Sequence, residues 1–222
     1  MEVASSVVPT AVLMLKAPVP GLVKTRLAAA LGMEPACRIY RCMVERVFAE
    51  IPAHWRIEVH GAPPEKLALL AAWLGSRALY RPQCGGDLGA RLNHASEAAF
   101  AAGADGVVLL GGDCPAQTRA FFQASEIALG SHDVVIGPAR DGGYTLLAFK
   151  TLHRALFENI AWSTSSVLHE TLARTRSLGL RVALLDPLED VDDDSAWRRA
   201  RAQFFPDFPD PSFQPNEHLT HA

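Results

Sequence analysis

The chain has 222 residues, of which 49% are hydrophobic and 20% charged, and its formal net charge is −3. These values are typical of an ordinary globular protein, and the small negative charge argues against broad binding to nucleic acids. Charged residues and glycines interrupt every apolar stretch before it reaches membrane-spanning length, and the N-terminus lacks a signal-peptide pattern. The four cysteines have no metal-ligand spacing, which indicates reduced thiols in a cytoplasmic protein. We therefore expect neither a membrane nor a nucleic acid as partner.

Apolar strand-like segments alternate along the chain with amphipathic helix-like segments. The predicted strands, in chain order, are Ala11–Leu15, Arg56–His60, Arg77–Arg81, Gly106–Leu110, Asp133–Ile136, Tyr144–Phe149 and Arg181–Leu185. The predicted helices are one ending at Leu31, then Pro35–Ile51, Pro64–Leu74, Leu88–Ala102, Gln117–Leu129, Ser163–Leu178 and about Ser195–Phe205. This alternation predicts a single α/β domain over residues 1–205, with a mainly parallel sheet and helices on both faces.

Residues 206–222 form a segment rich in Pro, Asp and Phe. Its prolines exclude a regular helix, so we expect an extended C-terminal tail. The phenylalanines could dock this tail on the domain or on a second subunit, and the sequence does not choose between these alternatives.

A basic turn, KAPVPGLVKTRL, follows the first predicted strand. Ligands of open parallel sheets bind at the carboxyl ends of the strands, and a turn with three cations there favours a phosphate. The alternative is a solvated surface loop with ordinary turn residues. The contiguous Gly-Lys-Thr of a P-loop is absent, which argues against a P-loop ATPase. The candidate phosphate-binding residues are Lys16, Pro20, Gly21, Lys24, Thr25 and Arg26.

Acidic residues follow two other predicted strands. Asp113 comes directly after an apolar strand and two glycines, and Asp190 and Asp192 follow the last strand. Mg²⁺ in proteins is often held by one or two carboxylates together with substrate phosphates. The alternatives are helix capping by Asp113 and a favourable macrodipole interaction of the second segment with the helix near Ser195. Their placement opposite the basic turn favours metal binding.

Three further segments follow strands or begin a helix. Asp141, Gly142, Gly143 and Tyr144 predict a tight turn that a substrate approaches closely, and Asp141 is a candidate for accepting a proton from an acceptor hydroxyl. Trp162 is either part of an acceptor wall or a buried anchor. The segment after the third strand adds the candidate substrate-binding residues Gln83, Asp87 and Arg91.

Six segments together resemble a bacterial family of GT-A-type transferases, called DUF2064 or nucleotide-diphospho-sugar transferases. Some of its members are termed arsenosugar-biosynthesis glycosyltransferases. The likeness to molybdenum-cofactor and phospholactate guanylyltransferases is more distant. The segments are Lys16–Leu27, Gly86–Arg91, Gly111–Pro115, Gly137–Tyr144, Trp162–Thr164 and Asp190–Asp192.

The resemblance implies a GT-A Rossmann-like fold, a nucleotide-activated donor and Mg²⁺ or Mn²⁺. It implies donor-phosphate contacts for Lys16, Lys24 and Arg26, and a place near the base or ribose for Asp87 and its neighbours. It also implies metal binding by Asp113 and Asp192, with Asp190 as the substitute for Asp192. The Gly-rich loop of the better-known nucleotidyltransferases is replaced here by prolines and Lys-Thr-Arg. The donor can therefore be a nucleoside triphosphate or a nucleotide sugar.

Three functions follow from these observations. The first is a metal-dependent glycosyltransferase that uses a nucleotide sugar, in which the metal and cations such as Lys24 stabilise the leaving group. The second is nucleotidylyl transfer from a nucleoside triphosphate to a phosphorylated small-molecule acceptor. The third is a non-catalytic nucleotide-binding module.

Overall fold

A seven-stranded sheet forms the centre of the computed structural model, which describes residues 7–209. The strand order is β3-β2-β1-β4-β6-β5-β7, and β6 is antiparallel to both of its neighbours while the other pairs are parallel. The mainly parallel sheet expected from the sequence is thus confirmed. Its strands are β1 (Thr10–Lys16), β2 (Arg56–Ala62), β3 (Leu79–Pro82), β4 (Val107–Leu110), β5 (Val134–Pro138), β6 (Tyr144–Phe149) and β7 (Val182–Leu184).

Helices cover both faces of this sheet, as predicted. On one face, α2, α3 and α5 pack on the odd-numbered residues of β1, and on the other face α4 and α6 pack on Val12 and its neighbours. A third cluster joins α1 and α2 to α7 beside the sheet. The helices are α1 (Thr25–Leu31), α2 (Met33–Glu50), α3 (Leu67–Leu74), α4 (Leu88–Ala101), α5 (Arg119–Ser131), α6 (Val167–Ser177) and α7 (Asp194–Phe204). In the part of the chain that the structure describes, no helix has the length and apolar character needed to cross a membrane.

The predicted start of α6 at Ser163 or Thr164 is wrong. Ser163 has a φ of 64°, which is left-handed and incompatible with a helical turn, and the helix begins at Val167. The Thr164 hydroxyl instead accepts a hydrogen bond from the Ser166 amide within the preceding turn. Local hydrogen bonds of Ser and Thr thus replace the first helical turn that the sequence suggested.

The C-terminal residues that the structure describes pack on the domain. Phe205 and Phe208 contact Trp197 of α7, with ring centroids 5.6 and 5.3 Å away. Phe208, which lies in the predicted tail, therefore packs on the domain. The remainder of the predicted tail, residues 210–222, lies outside the described residues.

Candidate functional site

The two predicted acidic segments meet at the carboxyl edge of the sheet. The amide of Val191 donates a hydrogen bond of 2.9 Å to the carbonyl oxygen of Asp113, which fixes the segment after β7 against the segment after β4. Gly112 lets the segment after β4 lie close to α2 and β1, because a Cβ there would overlap the side chains of Val44 and Leu15. A small residue in the loop after β4 is thus required for the loop to pack on α2.

Lys24 joins these acidic segments to the basic turn. Its ammonium lies 3.0 Å from Oδ2 of Asp113 and 2.8 Å from Oδ1 of Asp192. The lysine side chain is 7% exposed, whereas the two carboxylates remain 40% and 48% exposed. The highly exposed guanidinium of Arg26 lies 3.7 Å from the other oxygen of Asp192. The carboxylates therefore face solvent on one side and a buried cation on the other.

Residues other than Asp113 and Asp192 cap the helices that follow the two acidic segments. Thr118 caps α5 by accepting a hydrogen bond from the Phe121 amide, so Asp113 is not that cap. Asp193 caps α7 by accepting from the Ala196 amide at 2.8 Å. Asp192, its neighbour, is left to contact Lys24. Within one acidic run, one side chain thus caps the helix and the adjacent one contacts Lys24.

The protonation equilibria reflect this arrangement of charges. Burial alone would lower the pKa of Lys24, but the carboxylates of Asp113 and Asp192 outweigh it and raise that pKa. For Asp113, desolvation opposes ionisation, yet the Lys24 ammonium keeps the pKa below its usual range. Burial raises the pKa of Asp190 to about 6, with the carboxylates of Asp113, Asp192 and Asp141 adding to the shift. Asp190 is therefore harder to ionise than an exposed aspartate, because it is buried close to other carboxylates.

The basic turn forms one wall of a cavity of about 290 Å³. Tyr40 of α2 holds the end of β1 there, since its hydroxyl donates to the Lys16 carbonyl at 3.0 Å and accepts from the Lys16 amide at 3.1 Å. Gly21 has a φ of 83°, which lets the turn reverse direction. Of the predicted phosphate-binding residues, Lys16, Lys24, Thr25 and Arg26 line this cavity together with Asp113 and Asp192, whereas Pro20 and Gly21 shape the turn outside its lining.

A second cavity, of about 420 Å³, shares Lys16 with the first. Gln83 and Arg91 line it, as does Leu22 of the basic turn. The Gln83 amide group donates to the carbonyl oxygens of Leu15 and His60, so its nitrogen holds the ends of β1 and β2. Asp87 does not line this cavity and caps α4 by accepting from the Ala90 amide at 2.8 Å.

The turn between β5 and β6 has the tight geometry that the sequence predicted. Oδ1 of Asp141 accepts a hydrogen bond of 2.9 Å from the Gly143 amide, and Gly142 has a φ of 94°. A Cβ at Gly142 would overlap the carbonyl of Ser165, so the turn packs directly on the segment before α6. The exposed carboxylate of Asp141 thus closes its own turn, and its role as a base stays a prediction.

Trp162 packs inside the domain. Its ring meets Tyr144 edge-on with centroids 6.4 Å apart, and its indole nitrogen lies over Gly89 of α4, where a Cβ would overlap it. This contact explains the glycine in the first turn of α4 and agrees with the anchor alternative. Trp162 lines none of the three cavities at this edge.

A third cavity, of about 220 Å³, borders the first and shares Met14, Gly111 and Asp113 with it. Tyr144 and Asp190 line it, and their predicted roles in substrate and metal binding stay predictions. It also contains Gln117, a fully buried residue that the sequence analysis missed because it was assigned to a helix start. Tyr40 was likewise assigned only to the core of α2.

The carboxylates suit a divalent cation. Mg²⁺ and Mn²⁺ prefer oxygen ligands, and the Lys24 ammonium between Asp113 and Asp192 shows that the two carboxylates converge on one cation. Between residues 7 and 209, however, no group of three or more His, Cys, Asp or Glu side chains converges closely enough to hold a metal ion. A metal here would need further ligands from a substrate, which is usual for Mg²⁺ bound to nucleotides.

The sequence matches a family model and a curated protein. The family model described as an uncharacterized protein conserved in bacteria, DUF2064, matches residues 47–164. A 3-phospho-D-glycerate guanylyltransferase from Phenylobacterium zucineum is 35% identical over 130 residues, a match that covers 56% of each protein. The chain thus spans little more than half the length of this curated relative.

Solved structures show the same fold. A Desulfovibrio desulfuricans protein assigned as a nucleotide-diphospho-sugar transferase is 32% identical, with a TM-score of 0.80, over 88% of this chain and 89% of its own. A Mycobacterium tuberculosis protein crystallised with manganese is 15% identical, with a TM-score of 0.52, over 88% of this chain and 99% of its own. The chain therefore has the α/β fold that occurs in nucleotidyltransferases and nucleotide-diphospho-sugar transferases.

Proposed function

The chain belongs to the DUF2064 family, and from this premise we propose that it is a nucleotidylyltransferase acting on a small phosphorylated acceptor. The observation that carries the proposal is the buried Lys24 ammonium held by Asp113 and Asp192 in a cavity that Lys16 and Arg26 also line. Cations and paired carboxylates in one cavity suit a polyphosphate and its metal ion. The guanylyltransferase relative makes GTP the first donor to test.

In the proposed reaction, an oxygen of the acceptor phosphate bonds to the α-phosphorus of the nucleoside triphosphate. The bond between the α-phosphorus and its bridging oxygen to the β-phosphate breaks, and pyrophosphate leaves with the electron pair. The acceptor phosphate is already anionic, so the reaction needs no residue to remove a proton from it. Catalysis then rests on positioning and charge stabilisation, which fits a site rich in cations.

Each charged side chain has a distinct proposed task. Lys24 stabilises the negative charge that develops on the leaving pyrophosphate, and Lys16 and Arg26 bind the donor phosphates. Asp113 and Asp192 would hold Mg²⁺ or Mn²⁺, with Asp190 as the neighbouring carboxylate. The metal, when bound, would neutralise phosphate charge and orient the polyphosphate. Gln83 and Arg91 would border the nucleoside in the second cavity.

Glycosyl transfer is the second candidate function. It is favoured by the likeness to the Desulfovibrio desulfuricans protein, which extends over 88% of this chain. In that reaction the acceptor is a hydroxyl group, and the exposed Asp141 carboxylate is the candidate for accepting its proton. A non-catalytic nucleotide-binding module is the remaining alternative, and it predicts nucleotide binding without turnover.

One experiment separates the three functions. The protein is incubated with Mg²⁺ or Mn²⁺ and either the four nucleoside triphosphates or a set of nucleotide sugars, each with phosphorylated and unphosphorylated acceptors. Pyrophosphate release that depends on a phosphorylated acceptor supports nucleotidylyl transfer. Release of a nucleoside diphosphate from a nucleotide sugar supports glycosyl transfer instead. Calorimetric nucleotide binding without either product supports the non-catalytic module.

A further inference from the structure

The third cavity lies next to the proposed donor site. It shares Asp113, Met14 and Gly111 with the cavity that contains the cations, so a molecule bound in it would touch the same carboxylate as the donor. Its volume of about 220 Å³ is below the range of about 300–1,000 Å³ that is usual for drug-sized ligands. Its size and position therefore suit the body of a small acceptor.

The charges around this cavity restrict what can bind there. Among the described residues that line it there is no Lys, Arg or His, and two are carboxylates, Asp113 and Asp190. Apolar side chains such as Leu92 and Leu109 form most of the remaining wall. An ionised group in the body of an acceptor would therefore lose hydration without meeting a positive side chain in this lining. The cations Lys16, Lys24 and Arg26 all line the first cavity instead.

Two buried polar atoms of residues that line this cavity have no hydrogen-bond partner within the described part of the chain. They are Oε1 of Gln117 and the hydroxyl oxygen of Tyr144. The Gln117 amide nitrogen donates to the Thr145 carbonyl at 2.9 Å, which fixes Oε1 as the free acceptor. An unpartnered buried polar group costs about 1–3 kcal/mol, so a bound molecule that forms a hydrogen bond with either oxygen would be stabilised.

The chemistry of that molecule follows from the free atoms. Oε1 of Gln117 can only accept a hydrogen bond, and the Tyr144 hydroxyl can accept or donate. A ligand hydroxyl can donate to either oxygen, whereas an ionised carboxylate has no hydrogen to donate. Buried water would also satisfy these atoms, and this alternative predicts no effect on acceptor use.

We infer that the third cavity receives the uncharged, hydroxyl-bearing body of a small phosphorylated acceptor, whose phosphate points toward the cations of the first cavity. The inference rests on the proposed function for the position of the donor. It departs from the substrate named for the guanylyltransferase relative, because 3-phospho-D-glycerate has a carboxylate at the end opposite its phosphate. The described lining of this cavity offers that carboxylate no positive side chain.

A matched pair of acceptors tests the inference. Glycerol 3-phosphate and 3-phosphoglycerate have the same number of carbons and differ in having a hydroxymethyl group or a carboxylate. With GTP and Mg²⁺, we expect kcat/KM for pyrophosphate release to be at least about tenfold higher for glycerol 3-phosphate, a difference of about 1.4 kcal/mol. Equal or better use of 3-phosphoglycerate would overturn the inference and leave the proposed function intact.

Absence of pyrophosphate with both acceptors would count against the proposed function. Calorimetric titration of the two acceptors into the nucleotide-bound protein then decides the inference by itself. Tighter binding of glycerol 3-phosphate supports it. Equal affinity, tighter binding of 3-phosphoglycerate, or no binding of either overturns it.

The variant Tyr144→Phe separates a ligand contact from buried water. It removes only a hydroxyl that has no protein partner in the described structure, so the melting temperature should be unchanged or higher. We expect KM for glycerol 3-phosphate to rise about threefold to tenfold, the effect of one neutral hydrogen bond, with little change in kcat or GTP affinity. Thr171→Val is the matched control, because it removes another buried, unpartnered hydroxyl on α6 outside the three cavities. An unchanged KM in Tyr144→Phe would indicate water and refute the contact.

A charge added to the cavity should change the preference. Leu88 lines the cavity and its side chain is partly exposed, so an arginine there can reach the opening without burial of its charge. We expect Leu88→Arg to raise kcat/KM for 3-phosphoglycerate relative to glycerol 3-phosphate by about tenfold. No change in this ratio, in a variant with normal GTP affinity, would contradict the assignment of the acceptor body to this cavity.

Discussion

Replacement of Lys24 by methionine is the perturbation that most directly probes the site. The change keeps a long side chain at a position with φ 46° and removes only the ammonium between Asp113 and Asp192. Loss of one partner of a fully buried ion pair costs about 3–5 kcal/mol. The two carboxylates are 40% and 48% exposed, so solvent reduces this cost to about 1–3 kcal/mol.

The expected effects on stability and activity differ in size. For a domain of this length, about 1–3 kcal/mol lowers the melting temperature by about 2–12 °C. Loss of a preorganised positive charge from the transition state should lower kcat by about 10²–10³-fold. Differential scanning fluorimetry measures the first effect, and acceptor-dependent pyrophosphate release measures the second. Lys66→Met, which removes a positive charge outside the three cavities, is the matched control.

The result that would refute this reasoning is specific. If Lys24→Met has the melting temperature of the unmodified protein and a kcat within about threefold of it, then Lys24 neither balances the carboxylates nor stabilises the leaving group. A large loss of stability with unchanged kcat would leave Lys24 as a structural residue only.

Three further predictions concern residues that hold the site and the sheet. Gly142→Ala should destabilise the protein by about 2–4 kcal/mol, because the residue has a positive φ and the new Cβ would overlap Ser165. Gly103 has a similar φ but open space around it, so Gly103→Ala measures the free-energy cost of the positive φ alone. Equal urea midpoints for the two variants would contradict the overlap at Gly142. Tyr40→Phe should lower the free energy of unfolding in urea by about 1–3 kcal/mol, because both backbone groups of Lys16 lose a hydrogen-bond partner. The same change should weaken nucleotide affinity in calorimetry, and an unchanged affinity would disprove the positioning role of Tyr40. Hydrogen bonds from Arg181 hold the pKa of Asp133 below its usual range, so this stabilisation exists above about pH 4 and is lost as the pH falls. Asp133→Asn should therefore lower the free energy of unfolding by about 0.5 kcal/mol at pH 7 and leave it unchanged near pH 3. A loss of stability that persists at pH 3 in urea titrations would contradict this role of the Asp133 carboxylate.

The sheet was predictable because its central strands are buried on both faces and their ends are marked by glycine or polar residues. Val107–Leu110 and Val134–Pro138 are wholly buried, and this produces the continuous apolar runs visible in the sequence. The meeting of Asp113 and Asp192 was also predictable, since both follow strands at the carboxyl edge. The start of α6 was not, because the sequence does not show that Ser163 has a left-handed conformation.

The separate role of each residue in the site could not be predicted from the sequence. The roles of Asp192 and Asp193 depend on which carboxylate contacts Lys24 and which caps α7, and adjacent identical residues give no signal for this. Gln117 has an ordinary polar side chain at the start of a helix-like segment. Only its complete burial beside Tyr144 and Asp190 marks it as a candidate acceptor contact.

Acceptor-dependent pyrophosphate release from GTP, compared between the unmodified protein and Asp113→Asn, tests the central claim most directly. The account predicts release that requires both Mg²⁺ or Mn²⁺ and a phosphorylated acceptor, and a loss of at least about 10²-fold in the variant. Release that is unaffected by Asp113→Asn, or a nucleoside diphosphate formed from a nucleotide sugar in its place, would contradict it.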